Sequence, residues 1–177
     1  LRYSRAGGVL ARVLSFDIIH AHDWMTIPAA LLARRISGRP LVLHIHSLEY
    51  DRSGEAVNEE ICAIERAGLQ RADRIIAVSH RTKRMIAERY GADPRKISVI
   101  HNAVSQAEAK GARRGKGDRE RKTVLFLGRV TFQKGPDYFV EAASLVLKTL
   151  PDVTFVMAGE GDMMKQMVER VAELGIG

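Results

Sequence analysis

Short apolar segments of strand length alternate with longer segments whose apolar residues recur at helical spacing, and this alternation constrains the fold more than any other feature of the 177 residues. Residues 16–21, 41–45, 74–78 and 97–100 read as strands. Residues 2–14, 29–36, 55–71 and 80–90 read as helices, the first weakened by Gly7 and Gly8. Thr26 offers an N-cap for the second helix, Pro28 fits its first turn, and Gly38 and Gly91 stop the second and fourth. Such βαβ alternation calls for an α/β fold: a parallel sheet with helices on both faces.

The pattern breaks between residues 108 and 122. EAKGARRGKGDRERK has seven basic and three acidic residues, three glycines and no large apolar side chain. Its net +4 is most of the chain's +7, so the excess charge marks an exposed linker more than a functional surface. Strand signals resume at 123–127 and 153–157. Pro136 opens a helix with Phe139, Val140, Ala143, Val146, Leu147 and Leu150 on one face, and a last helix spans 162–174. The reading is a first domain over 1–105, a basic linker over 106–122 and a second domain over 123–177. Two strands are too few for a sheet of the usual size. With Leu1 at the start and ELGIG at the end, the chain reads as an internal fragment of both domains.

Cys62 is the only cysteine, so no disulfide framework and no oxidising compartment is implied, and a cytosolic setting is the default. It falls among apolar helix positions, as a buried inert thiol does. No apolar run approaches the roughly 18 residues of a membrane span.

In open parallel sheets, ligands bind beyond the carboxyl ends of the strands, and the polar residues collect there. His20 and His22 end the first strand, His44 and His46 the second, Ser79 the third, and His101 and Asn102 the fourth. In VLFLGRVTFQKG (124–135), Gly128 permits close backbone approach and Arg129 follows it; Lys134 and Gly135 then precede the helix opened by Pro136. Two cations beside a helix N-terminus suit a diphosphate, the Arg fork gripping oxygens and the Lys acting as a point charge. Gly159 and Gly161 make a Gly-x-Gly turn after the last strand, but Met164 replaces the third glycine of a dinucleotide fingerprint.

DIIHAHDW (17–24), LHIHSLEY (43–50), ADRIIAVS (72–79), ISVIHNAV (97–104) and VLFLGRVTFQKGPDYFVEAA (124–143) resemble, in this order, the retaining glycosyltransferases of family 4, nearest their glycogen/starch-synthase-like members. The resemblance implies the GT-B fold, two Rossmann-like domains facing across a cleft, with residues 1–105 on the acceptor side and 123 onward on the donor side. It implies that Arg129 and Lys134 bind the donor's diphosphate and stabilise it as leaving group, with no metal or other cofactor required. It implies that His22 contacts the transferred sugar and that Gly128, Gly159 and Gly161 approach the donor. Asp23, His46, Ser79 and Asn102 fall on the cleft's acceptor side; Ala103 replaces the glycine of the family's Asn-Gly turn, which puts a left-handed residue there in doubt.

The implied partners are a nucleotide sugar, UDP- or ADP-hexose, and a glycan, small-molecule or lipid-linked acceptor, but no nucleic acid. The implied place is the cytoplasm, with room for peripheral contact at the inner face of a membrane. The family's Gly-rich loop and paired glutamates fall outside the sequence, so the fragment alone is expected to lack normal turnover. Two other readings compete. The His20-x-His22 and His44-x-His46 pairs suggest a zinc-dependent hydrolase, without the usual His-x-His-x-Asp-His companions. The basic linker suggests a nucleic-acid or anionic-membrane module, without interleaved aromatics. Glu65 reads as part of a solvated helix face, and Trp24 as a sugar platform or a core aromatic at a strand end.

Overall fold

A computed structural model describes residues 2–104 and 122–177, which fall into two compact units, Leu1–Val104 and Ser105–Gly177. The basic stretch expected at 106–122 lies outside the described residues except for Lys122, which begins a strand.

The first unit runs α1 (Arg2–Val13), β1 (Ile19–His22), α2 (Asp23–Ser37), β2 (Leu41–Ile45), α3 (Glu49–Ser53), α4 (Glu59–Arg71), β3 (Arg74–Ala77), α5 (His80–Tyr90), a 3-10 turn (Pro94–Lys96) and β4 (Ile97–Val99). Its four strands pair in sequence order, β1-β2-β3-β4, all parallel. Leu41, Leu43, Ile45, Ile75, Ala77 and Ile97 point to one face and bury against Ile27, Leu69, Ile86 and Tyr90 of α2, α4 and α5. The alternate positions Val42, His44 and Ile76 are only half-buried, and His20 and His22 are exposed. Helices therefore do not bury both faces of this sheet among the described residues. The reason is topological: crossovers of one hand between consecutive neighbouring strands deposit every connecting helix on the same side.

Several boundaries move. Helix α2 starts at Asp23, not near Thr26, so Thr26 lies inside it and its hydroxyl donates back to the His22 carbonyl at 2.7 Å. Pro28 sits in the helix interior at the cost of one backbone donor. Helix α4 starts after Asn58, whose side chain accepts from the Glu60 and Ile61 N–H groups at 3.0 and 3.3 Å. The Gly7-Gly8 pair does not break α1; a Cβ on Gly8 would come within 2.8 Å of Leu32 Cδ2, so its absence lets α1 lie close on α2.

The second unit has β5 (Lys122–Leu127), a 3-10 turn (Phe132–Lys134), α6 (Pro136–Leu147), β6 (Val153–Ala158) and α7 (Met164–Leu174). β5 and β6 are parallel, with Lys122 opposite Val153 and Leu127 opposite Ala158. Val130, Val140 and Met167 form its core with Phe126, Met157 and Val171 around them. Leu150, expected on the apolar face of α6, lies beyond its end and is exposed.

Candidate functional site

At the carboxyl ends of β1 and β2, register does the assembly. Ile19 pairs with Leu41, which brings His22 opposite His44. Residues two apart share a face, so His20, His22, His44 and His46 gather on the open side of the sheet. The His44 and His46 rings lie 4.3 Å apart, His20 and His22 4.5 Å, and His22 and His44 4.9 Å between centroids. His22 Nδ1 and His46 Nε2 share a hydrogen bond at 3.0 Å. Burial, then the neighbouring His20 and His46, pushes the His22 pKa below the ordinary imidazole value; burial and the same kind of neighbours lower that of His44. His22 and His44 are thus held toward their neutral forms. Both ring nitrogens of His44 are shut off from solvent without a hydrogen-bond partner.

Asp23 occupies the turn from β1 into α2 with φ of 53°, the left-handed region that few residues other than glycine enter. Its Oδ1 accepts from the His46 N–H at 2.7 Å and the Ser47 N–H at 3.4 Å. These bonds tie the ends of β1 and β2 together and offset the backbone strain. Among the described residues no carboxylate joins the group of His20, His22 and His44, so a His-x-His metal site of hydrolase type is not completed.

Ser79, His101 and Asn102 follow the carboxyl ends of β3 and β4, as their sequence positions suggest. Ser79 caps α5, its hydroxyl oxygen accepting from the Thr82 N–H at 3.0 Å, which is a structural role. Asn102 is exposed in the coil after β4, and Ala103 does not take the left-handed conformation, because Asp23 alone among described non-glycine residues has positive φ. His101 holds the Val78 carbonyl at 3.1 Å. Trp24 is half-buried in the first turn of α2.

Two features escaped the sequence reading. Glu65 is not on a solvated face: it is 1% exposed. Its Oε2 accepts from the Tyr90 hydroxyl and, at 3.1 Å, from the Glu49 N–H, while Oε1 accepts from Arg52 Nη2 at 2.7 Å. Arg52 also donates to Glu49 Oε2 at 3.1 Å and to the Ser47 carbonyl at 3.0 Å, so one guanidinium fork anchors the chain just after His46. Helix α3 was the second miss, since its carboxylate and guanidinium partners lie far along the chain. Cys62 is buried beside this network and burial raises its thiol pKa, as expected for an inert thiol.

Two cavities border the first unit, one of them reaching the histidines. One of about 380 Å³ lies beside β1, lined by Tyr3, Leu10, His20, His22 and Thr26. A larger one of about 840 Å³ sits at the opposite, amino ends of the strands among Arg34, Arg35, Arg71, Asp73 and Lys96. Arg34 there is committed to Asp73 at 2.7 and 3.0 Å.

In the second unit, β5 delivers Gly128 and Arg129 to its carboxyl end, and Lys134 closes the 3-10 turn before α6. Gly135 has φ of 61°, and Pro136 occupies the first turn of α6, whose N-cap makes no side-chain hydrogen bond. Arg129 and Lys134 are both exposed, and no carboxylate pairs with either among the described residues. Arg129 Nη2 reaches only Gln133 Oε1, at 3.5 Å. Gly159 and Gly161 brace this loop: Val130 N–H donates to the Glu160 carbonyl at 2.8 Å, and Met163 N–H to the Val130 carbonyl at 3.1 Å. A Cβ on Gly159 would fall 1.8 Å from the Gly128 oxygen, and one on Gly161 2.1 Å from that of Val130.

The sequence profile of Glycosyltransferase Family 4 matches residues 2–108, and that of Glycosyl transferases group 1 matches residues 110–177. An uncharacterised glycosyltransferase of Methanocaldococcus jannaschii is 31% identical over 96% of this chain and 46% of its own length. A glycogen synthase of Mycobacterium tuberculosis is 28% identical over 87% of this chain and 38% of its own length. The chain thus spans less than half the length of these relatives. Among solved structures, Staphylococcus aureus TarM, in a mutant form bound to fondaparinux, alpha-GlcNAc-glycerol and UDP, superposes with a TM-score of 0.68 at 18% identity, covering 96% of this chain and 34% of that one. The parallel α/β architecture is that of GT-B glycosyltransferases.

Proposed function

The chain belongs to glycosyltransferase family 4, and from that premise we propose that it serves the retaining transfer of a hexosyl unit from a nucleotide-diphosphate sugar to a glycan or other acceptor. The observation that carries this reading is the uncommitted pair Arg129 and Lys134 at the carboxyl end of β5, beside the N-terminus of α6. As the bond between anomeric carbon and phosphate oxygen breaks, negative charge grows on the diphosphate. Cations already held there, together with the helix dipole, stabilise that charge more in the transition state than in the ground state. No metal is required for such electrostatic catalysis. Gly128 has open space where a Cβ would stand, leaving the backbone bare for the donor, and Gly159 and Gly161 let the neighbouring loop pack directly against it.

On the acceptor side, His22 contacts the transferred sugar. Asp23 and His46 hold it in place through the 2.7 and 3.0 Å contacts described above. Asn102 and the Ser79 turn lie at neighbouring strand ends. Retention follows an internal return in which the departing phosphate helps deprotonate the acceptor hydroxyl. UDP bound to TarM and the glycogen synthase among the relatives support a UDP- or ADP-hexose donor and a glycan acceptor. A lipid-linked acceptor, reached from the cytoplasmic face of a membrane, fits the same chemistry; no described helix is long and apolar enough to cross one.

Binding of UDP and ADP to the intact protein, measured by calorimetry, tests the donor site. Loss of one charge-assisted hydrogen bond is worth about 1.5–3 kcal/mol, so Arg129→Ala should weaken nucleoside-diphosphate binding by roughly ten- to a hundredfold and slow transfer at least as much. Unchanged affinity and rate would remove Arg129 from the donor site.

A further inference from the structure

The four imidazoles at the ends of β1 and β2 do more than the sugar contact assigned to His22 requires. One ring nitrogen from each of His20, His22 and His44 lies within 4.8 Å of the others. Two nitrogens bound tetrahedrally to one zinc-sized ion lie about 3.4 Å apart, given metal–nitrogen bonds of about 2.0–2.1 Å. Closing that difference takes small ring rotations, which the exposed His20, bearing no side-chain hydrogen bond among the described residues, can make toward the other two.

His44 supplies a second argument. A neutral imidazole carries one donor and one acceptor, and neither nitrogen of His44 has a partner or access to water. Its orphaned lone pair is the type of group an ion satisfies. The hydrogen bond between His22 Nδ1 and His46 Nε2 leaves Nε2 of His22 without a partner among the described residues and fixes its ring; with the proton on Nδ1, His46 stands as the outer partner of a metal-ligating histidine does.

We propose that His20, His22 and His44 form a binding site for a divalent transition-metal ion, with His46 orienting His22 and a fourth position open to solvent. The donor set is all imidazole. Oδ1 of the nearby Asp23 accepts from the His46 and Ser47 N–H groups, and Asp23 is not a member of the three-residue group. Nitrogen-only ligation selects zinc, nickel or copper and rejects magnesium and calcium, which take oxygen. His22 is shared with the sugar contact proposed above, so an ion and a sugar would compete for its ring, whereas His20 and His44 have no part in that contact.

Titration of nickel and of zinc into the tag-free, chelator-treated chain near neutral pH tests it, with magnesium as control. One ion per chain with a dissociation constant near or below about 10 micromolar is expected, and no magnesium binding. His20→Ala, an exposed change that spares the fold, should weaken binding at least about tenfold, and His44→Gln the same. His80→Ala, a histidine outside the cluster, should change nothing. Should His44→Gln fail to fold by circular dichroism, His20→Ala and nickel-induced broadening of individual histidine ring signals carry the test; broadening confined to the four clustered rings supports the site. Wild-type binding weaker than about millimolar, or an affinity untouched by His20→Ala, overturns it.

Discussion

Asp23 joins local strain to the site more directly than any other residue. Its left-handed backbone is tolerable because the side chain accepts two N–H groups from the end of β2. Asp23→Ala removes the acceptor and keeps the strain, so it should cost about 1–3 kcal/mol in urea unfolding and release His46 from His22. Asp23→Asn keeps an oxygen and tolerates the conformation, so it should lose less than half as much. Equal losses would mean that charge, not geometry, matters there. The aspartate's position was legible in HAHDW, but its conformation was not. Nothing local to residues 20–24 indicates that the backbone of residues 46 and 47 will meet its carboxylate. The opposite error occurred at Glu65: its helical neighbours Cys62 and Leu69 are apolar and buried, but the groups that satisfy its carboxylate there, Tyr90 and Arg52, lie 25 and 13 residues away.

Between elements, the short helix α3 shows how far local signals reach. It has five residues, too few for a stable helix by itself, and its partners are Arg81 for Asp51 and Glu65 for Arg52. Removing one member of a buried ion pair leaves the other uncompensated, so Glu65→Ala should cost about 3–5 kcal/mol and loosen the segment after His46. Hydrogen exchange at residues 47–53 would register the loosening, and protection equal to wild type would show that α3 stands without this anchor. In the second unit the Gly-x-Gly turn carries a comparable burden. A side chain at Gly159 meets the Gly128 oxygen and needs a φ of 152°, so Gly159→Ala should destabilise by about 3 kcal/mol or more, read from thermal unfolding. A near-wild-type melting temperature would mean that the two loops separate freely. The two glycines themselves were plain in the sequence. Their contact with Gly128 and Val130 follows only from the parallel pairing of β5 with β6.

For the molecule as a whole, hydrogen-bonded carboxylates, Glu49 buried and Asp73 half-buried, set the acid limit. Burial alone would raise the Glu49 pKa, but hydrogen bonds from Ser53, the Asn58 N–H and Arg52 outweigh it and hold it below the ordinary value. For Asp73 the Leu41 N–H and Arg34 do the same. A lowered folded pKa means that the unfolded chain binds more protons in acid. Their stabilisation is therefore full above about pH 4.5 and lost as pH falls through the folded values. Thermal melting followed from neutral pH downward should decline in that acid range, and Asp73→Asn should flatten part of the decline; a variant with an unaltered pH profile would exclude Asp73 from it. Sequence periodicity by itself determined the alternation of strands and helices, the parallel character of both sheets and the gathering of polar residues at strand ends, because each depends on spacing within one segment. Only the tertiary structure decided that four histidines share one open face, that Glu65 meets Arg52 and Tyr90 and that Gly159 is crowded. Those outcomes depend on strand order and register, which bring distant segments together and leave no mark on the local pattern.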